Sequence, residues 1–427
     1  MNELFQFLTL QDANVRYVVL GVMLLSSTSS IIGCFALLRK RSLVGDAVAH
    51  AVLPGICLSF IIADSKDPWV LLIGAFITGW LSIYLIDYIP NKSKLKPDTA
   101  VALVLSVFFG AGIMLLSYIQ HQGSASQSGL DKFLFGKAAS LVGNDLITFA
   151  SVAVLLLIVV ALFYKEFKLI SFDIKYAKTI GYPVKFIELL LSSLTVLAVI
   201  IGIQAVGVVL MAAILITPAA AARTWTDKLN VMIFVSIIIA SLSSLLGTYS
   251  SYIAPSMPTG PWIVLFMSLL AFVSFLIAPK KGILSKYFKQ MRHKTKIQEE
   301  NILKLLFKQS EPTSDFFKHR TISEMLAVND MPTNLPKVLK SLIRHGYIDQ
   351  QGNEYALTKA GKTKGQRMVR IHRLWEAYLS EHLQIPADHV HFNAEAVEHV
   401  ITHEIEADLV KSLSNPNLDP HKSEIPK

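Results

Sequence analysis

This chain of 427 residues has little charge and almost no cysteine: Asp, Glu, Lys and Arg make up 17% of it, and there are two cysteines. Cys34 and Cys57 both fall in apolar stretches, which excludes a disulfide framework as the source of stability. No Gly-x-x-x-x-Gly-Lys-Ser/Thr phosphate cradle occurs, so the chain is expected to bind no ATP itself and to be no enzyme. Met1 to Asp12 lacks a basic n-region, and no cleavable signal is expected. Bilayer-length apolar runs are missing from one part only, Pro279 to Lys427.

Elsewhere such runs dominate. The hydrophobic fraction is 52% and the mean hydropathy +0.49, too high for a soluble protein of this length. A bilayer span takes roughly 20 apolar residues, and the stretch from Asn14 to about Ala278 supplies spans near 15–38, 47–63, 68–89, 98–119, 142–164, 186–202, 204–222, 229–251 and 259–278. The pair at 186–222 almost touches at Gly202-Ile203-Gln204, so the count is eight or nine.

Positive charge in short loops sets the orientation. Arg39-Lys40-Arg41, then Lys92, Lys94 and Lys96, then Lys165, Lys168, Lys175, Lys178 and Lys185, then Arg223 and Lys228, and finally Lys280-Lys281 lie on one side. The alternate loops (64–67, 120–131, 249–258) are poor in positive charge. The amino terminus is therefore expected outside the cytoplasmic membrane and the tail inside it. Much of the net charge of +9 is topological and need not mean nucleic acid.

Within the apolar part, the sequence Leu43-Val44-Gly45-Asp46-Ala47-Val48-Ala49-His50-Ala51-Val52-Leu53-Pro54-Gly55 stands out. Asp46 and His50 are four apart and share one helix face. Ionisable groups at membrane depth are costly and usually face a pathway or a partner. Pro54 cannot donate a backbone hydrogen bond and leaves the His50 carbonyl free, a device tolerated where a helix lines a cavity. A carboxylate oxygen with an imidazole nitrogen suits Mn, Fe or Zn better than soft copper. The competing reading makes Asp46 a helix cap and His50 a buried, hydrogen-bonded residue.

This stretch resembles the Gly-Asp-Ala-x-x-His-x-x-Leu-Pro-Gly motif of the membrane subunits of bacterial manganese/zinc/iron ABC importers. The similarity runs from about residue 15 to 278 and includes Leu134-Phe135-Gly136, Phe172-Asp173-x-x-Tyr176-Ala177-x-x-x-Gly181, Gln204-Ala205-Val206-Gly207 and Ile216-Thr217-Pro218-Ala219 through Arg223. The resemblance implies that Asp46 and His50 ligate the transported ion, and that a second permease subunit, the same or a different chain, faces this one. It also implies a separate ABC ATPase docking on the loop of Phe172, Asp173, Tyr176, Ala177 and Gly181, and an extracytoplasmic metal-binding protein.

After a basic juxtamembrane linker (280–296), with Lys286–Lys296 expected against anionic lipid, the periodicity becomes that of short soluble helices. Ile297–Phe307, Ile322–Val328 and Leu335–Arg344 read as helices, Gly346–Ile348 and Tyr355–Leu357 as a two-stranded wing about Gln351-Gly352-Asn353. Helices over 361–382 and 394–413 complete the tail. The expected architecture is an all-α polytopic membrane domain (1–279), a winged-helix domain (297–360) and a helical metal-binding and dimerisation domain (361–427).

Residues 297–426 resemble metal-dependent repressors of the diphtheria-toxin-repressor type, carried by Val369-Arg370-Ile371-His372-Arg373-Leu374-Trp375-Glu376, Glu395-Ala396-Val397-Glu398-His399-Val400, Asn415-Pro416 and Asp419-Pro420-His421. The resemblance implies metal ligands at His372, Glu376 and His391 for one site and at Glu395, Glu398 and His399 for the other. Glu300 is the further ligand available at the tail's start, with Leu303 where some members have a carboxylate. Glu395 where iron-type members often carry Cys favours manganese over iron; zinc stays open for the transport site. The stretch opening Asn334-Leu335-Pro336-Lys337 lacks small polar residues for base edges, while Lys337, Lys340 and Arg344 suit phosphate, which positions without specifying sequence. Metal-sensing regulation of a permease is the leading expectation. A membrane-tethered or proteolytically released transcriptional regulator, with DNA as partner, is the alternative.

Overall fold

The computed structural model describes residues 5–7, 9–64, 67–121, 136, 141, 143–254, 257–326, 335–386, 390, 394–395, 397–414 and 416–427. It divides into two compact units, Met1–Lys286 and Tyr287–Lys427.

The first unit contains nine apolar helices among the described residues: α1 (Ala13–Leu38), α2 (Ser42–Ala63), α3 (Pro68–Lys92), α4 (Pro97–His121), α5 (Gly143–Leu162), then two short surface helices α6 (Tyr164–Phe172) and α7 (Ile174–Thr179), then α8 (Val184–Val206), α9 (Val208–Trp225), α10 (Leu229–Ile253) and α11 (Thr259–Ile277). Eight are long and apolar enough to cross a bilayer; α9 is the shorter one. The break between α8 and α9, expected at Gly202-Ile203-Gln204, lies instead at Gly207, whose φ of +89° is open to glycine at no steric cost. Gly202 is helical, and its missing side chain leaves room for Met211: a Cβ there would stand 1.9 Å from the Met211 sulfur.

Lipid offers no hydrophobic drive between helices, so small residues and hydroxyl pairs hold them together. Helices α2 and α3 approach at Gly55 and Gly74, where a Cβ on Gly55 would lie 2.2 Å from the Gly74 carbonyl oxygen. Between α1 and α10, Ser26 and Ser244 share a hydrogen bond of 2.7 Å and Ser27 and Ser241 one of 2.9 Å. Helix α2 is packed on α3, α4 and α9.

Helix α12 (Ile283–Ser310) is continuous, so the stretch expected as a linker is helical from Ile283 onward. The described remainder of the second unit holds β1 (Arg320–Thr321), α13 (Ile322–Leu326), α14 (Leu335–Arg344), β2 (Ile348–Gln351), β3 (Glu354–Leu357), α15 (Lys359–Leu383) and α16 (His403–Ser412). The expected wing is an antiparallel sheet of three strands, in the order β1-β3-β2. Its core takes Ile302, Leu303, Leu306 and Phe307 from α12, Val338, Leu339 and Leu342 from α14, and Val369 from α15. Leu303 is fully buried there, an apolar position where a carboxylate would be costly.

The last expected helix, 394–413, is not one element. The chain turns at Glu398–Val400, and α16 starts afresh at His403 with Thr402 as its N-cap, the Thr402 hydroxyl accepting from the Ile405 amide. Glu398 keeps a helical hydrogen bond from its amide to the Ala394 carbonyl before the chain leaves the helix.

Candidate functional sites in the membrane unit and in the tail

Asp46 and His50 both lie inside α2, which begins at Ser42 and runs unbroken through Pro54. Asp46 therefore caps nothing, and the capping alternative falls. The two side chains do share a face: His50 Nε2 is 3.6 Å from Asp46 Oδ1. Two ligands each about 2.1 Å from an ion and that far apart subtend about 120° at it, within what zinc- and manganese-type sites accept. The other imidazole nitrogen, Nδ1, is buried without a hydrogen-bond partner, and the Phe109 ring stands edge-on with its centroid 4.8 Å from that of His50. A buried nitrogen without a partner is costly and uncommon, so His50 is no satisfied core histidine. The Asp46 side chain keeps 40% of its surface exposed, so the pair is open on one side.

Sequence reading missed the ionic groups beside this pair. Arg39 meets Glu188 of α8 at 2.5 Å, and Arg41 meets Asp87 of α3 at 3.0 Å. Arg39, Arg41, Val44, Asp87, Asp98 and Val101 border a cleft of about 690 Å³ at the start of α2. The arginines were legible as topological charge; their carboxylate partners, on other helices, were not.

In the loop expected to couple to an ATPase, Phe172 ends α6 and Asp173 caps α7, its side chain accepting from the Tyr176 amide at 2.9 Å. Ala177 is fully buried, and Gly181, at φ +85°, turns the chain toward α8. Phe172, Ile174 and Tyr176 leave 54%, 38% and 56% of their surface exposed, an apolar patch on this short element. Leu134 and Phe135 lie outside the described residues; Gly136 is described, with φ +77°.

In the tail the expected ligands among the described residues converge. His372 Nδ1 is 2.5 Å from Glu398 Oε2 and its Nε2 3.0 Å from Glu376 Oε1, so residues assigned to different sites share one imidazole. His399 Nδ1 meets Glu300 at 2.9 Å, and its Nε2 stands 3.5 Å from Glu398. Into this group α12 sends Lys304, whose Nζ is 2.6 Å from Glu398 Oε1 and 3.5 Å from Glu395 Oε1. Lys296 and Lys364 each approach Glu300 at 3.8 Å. His391 lies outside the described residues.

The electrostatics follow from this pairing. Burial works against charge on Glu398, but the His372 hydrogen bond and the Lys304 ammonium outweigh it and hold the carboxyl below its ordinary range. Burial likewise opposes protonation of His372, and hydrogen bonds to Glu376 and Glu398 overcome it and raise its pKa. Glu300 is lowered, against burial, by His399, Lys296 and Lys364. His372 thus has a carboxylate oxygen within hydrogen-bond distance of each ring nitrogen.

Oxygen and imidazole donors of this kind suit a divalent first-row ion, but as arranged they bond to one another and to Lys304. Among the described residues no group of three or more His, Cys, Asp or Glu is disposed to hold a metal. Lys337, Lys340 and Arg344 are exposed on α14, opposite its buried Leu335, Val338, Leu339 and Leu342. Asn334, before that helix, lies outside the described residues.

Comparison with known proteins fits both halves. Residues 11–278 match the ABC 3 transport family, and residues 358–427 match the iron dependent repressor, metal binding and dimerisation domain. The manganese transport system membrane protein MntC of Bacillus subtilis is 42% identical over 89% of this chain and 87% of its own length. The zinc transport system membrane protein TroC of Treponema pallidum is 38% identical over 68% of this chain and 97% of its own. Among solved structures, PsaBC from Streptococcus pneumoniae in complex with Fab aligns with a TM-score of 0.60 and 33% identity, covering 67% of this chain and 99% of that one. The chain belongs to the ABC 3 transport family, as a multi-pass transport permease whose tail matches a repressor metal-binding and dimerisation domain.

Proposed function

We propose that this chain is the membrane subunit of an importer for a divalent first-row metal, manganese first, with iron and zinc as the other substrates its ligand chemistry admits. The carrying observation is the pair on α2: a half-exposed Asp46 beside a His50 with one nitrogen unpartnered, inside an otherwise apolar helix. Two ligands are too few for a closed site, and the open side suits completion by a second permease subunit. An incomplete site also suits transport, because an ion held by few ligands can leave.

The energy comes from a separate ABC ATPase, for which the exposed Phe172, Ile174 and Tyr176 on the Asp173-capped α7 form the docking surface. An extracytoplasmic metal-binding protein delivers the ion on the opposite side. The chain resides in the bacterial cytoplasmic membrane with its tail in the cytoplasm, and the Lys- and Arg-rich start of α12 lies against anionic lipid, where each basic residue contributes about 1 kcal/mol. There the tail tunes uptake to internal metal through Glu300, His372, Glu376, His391, Glu395, Glu398 and His399.

The decisive measurement is Mn(II) uptake by proteoliposomes carrying the permease with its cognate ATPase and binding protein. Asp46→Ala and His50→Ala should each lower uptake about 100-fold, some 2.7 kcal/mol; wild-type uptake by both would overturn the reading. The exposed Lys337, Lys340 and Arg344 favour a second one, a DNA-binding tail, which predicts a specific mobility shift of the nanodisc-held chain on its own operon DNA.

A further inference from the structure

Lys304 sits where a lysine is least expected. Its neighbours along α12, Ile302, Leu303, Leu306 and Phe307, all belong to the core of the second unit. A lysine at the edge of such a core ordinarily lays its stem along the apolar surface and carries its ammonium out to water. Here the side chain is only 8% exposed and runs inward, to Glu398, whose side chain has no exposed surface.

Removing an ammonium from water costs several kcal/mol, recovered only by good geometry and further hydrogen bonds. Both conditions are met, with a contact of 2.6 Å to Glu398 and a second carboxylate, Glu395, at 3.5 Å. Four carboxylates of the network, Glu300, Glu376, Glu395 and Glu398, face three ammonium groups, Lys296, Lys304 and Lys364, and the ring of His372. The chain's own cations thus stand against these carboxylates. Glu398 is its hub, shared by His372, Lys304 and His399.

We propose that Lys304 is a tethered cation that closes the tail's carboxylate group in the place of a divalent ion. The tail then has a closed, metal-free state in which α12 is bonded to the Glu395–Glu398 segment through Lys304. Divalent metal has to compete with an ammonium that is always present at the site, so Lys304 sets the concentration at which the tail responds. A binding-competent form populated only in part lowers apparent affinity by that fraction, which makes Lys304 a threshold-setting residue and no ligand. This inference rests on the reading of the tail as a metal sensor.

The test uses the full chain in lipid nanodiscs, in an Asp46→Ala/His50→Ala background so that Mn(II) binding reports the tail. Free Mn(II) is followed by its electron paramagnetic resonance signal, and the tail's closure by its resistance to trypsin. The Lys304→Met variant should bind Mn(II) at least tenfold more tightly, be cleaved faster without metal, and recover resistance when Mn(II) is added. Lys304→Arg, which keeps the charge, should follow the parent in both measurements. Equal Mn(II) affinity in Lys304→Met and the parent, undiminished resistance without metal, or a variant still cleaved at saturating Mn(II) would each overturn the proposal. If neither protein binds Mn(II), the sensor reading falls with it; binding that is present but equal removes only the role of Lys304.

Discussion

Two groups of carboxylate and imidazole occupy this chain, and they are built in opposite ways. On α2, Asp46 and His50 stand 3.6 Å apart with one imidazole nitrogen unpartnered and the carboxylate side chain 40% exposed. In the tail, His372 has a carboxylate on each nitrogen, and Glu398, with no exposed side-chain surface, is bonded by both His372 and Lys304. The membrane pair is unfinished, the tail group closed. On the function proposed above, a pathway residue has to bind and release, so it gains from being left incomplete. A residue that holds two elements together gains from being saturated, because a half-satisfied buried network is worse than an apolar one.

The comparison predicts where each group is indispensable. The largest effect on folding is expected in the tail: Glu398→Gln leaves Lys304 and His372 facing a neutral amide, and breaking a buried pair in this way costs about 3 kcal/mol. Trypsin should then cleave within residues 287–427 much faster than in the parent, whereas Asp46→Asn should leave the cleavage pattern and thermal unfolding of the protein unchanged. A tail indifferent to Glu398→Gln would break the contrast.

A subtler change sharpens the membrane side. Asp46→Glu keeps the charge but moves the carboxylate by one methylene, and Mn(II) uptake should fall about tenfold, or 1.4 kcal/mol, with expression and stability untouched. At the coupling element, Asp173→Ala removes the α7 N-cap, worth about 1 kcal/mol. It should weaken ATPase binding severalfold in a pull-down without altering metal binding.

The smallest effect is on pH. Glu398 has its pKa lowered from 4.5, so its contribution is complete above that value and lost as the pH falls through the folded-state pKa. His372 has its pKa raised from 6.5, so its contribution is complete below that value and lost as the pH rises through the folded-state pKa. Resistance of the tail to proteolysis should therefore be highest between about pH 4.5 and 6.5 and decline on either side. A flat profile across both limits would show that the network contributes nothing.

Much of this protein can be read from its residues in order. The spans are legible because bilayer insertion depends on local apolar length, and α1 through α4 fall within a few residues of where hydropathy puts them. Asp46 and His50 are legible because charge inside such a run is rare, and their common face follows from helical spacing alone. The wing was legible from its turn, although β1, two residues long, carries no pattern of its own. The helix expected over 394–413 failed for the converse reason: nothing in its periodicity marks the turn at Glu398–Val400. A lone lysine in Asn301-Ile302-Leu303-Lys304-Leu305-Leu306-Phe307 was the available sign that something unusual sits on α12.

Composition and spacing were sufficient for a polytopic membrane domain with a polar step in its second helix and a helical tail with a wing, because each of those features lies within a few turns of chain; the repressor type came from resemblance. The partners of the charged groups were not available at that range. Arg39 finds Glu188 149 positions away, and Lys304 finds Glu398 94 positions away. Such pairs exist only once helices have packed, since packing brings their ends together and excludes the water that would otherwise keep each charge solvated.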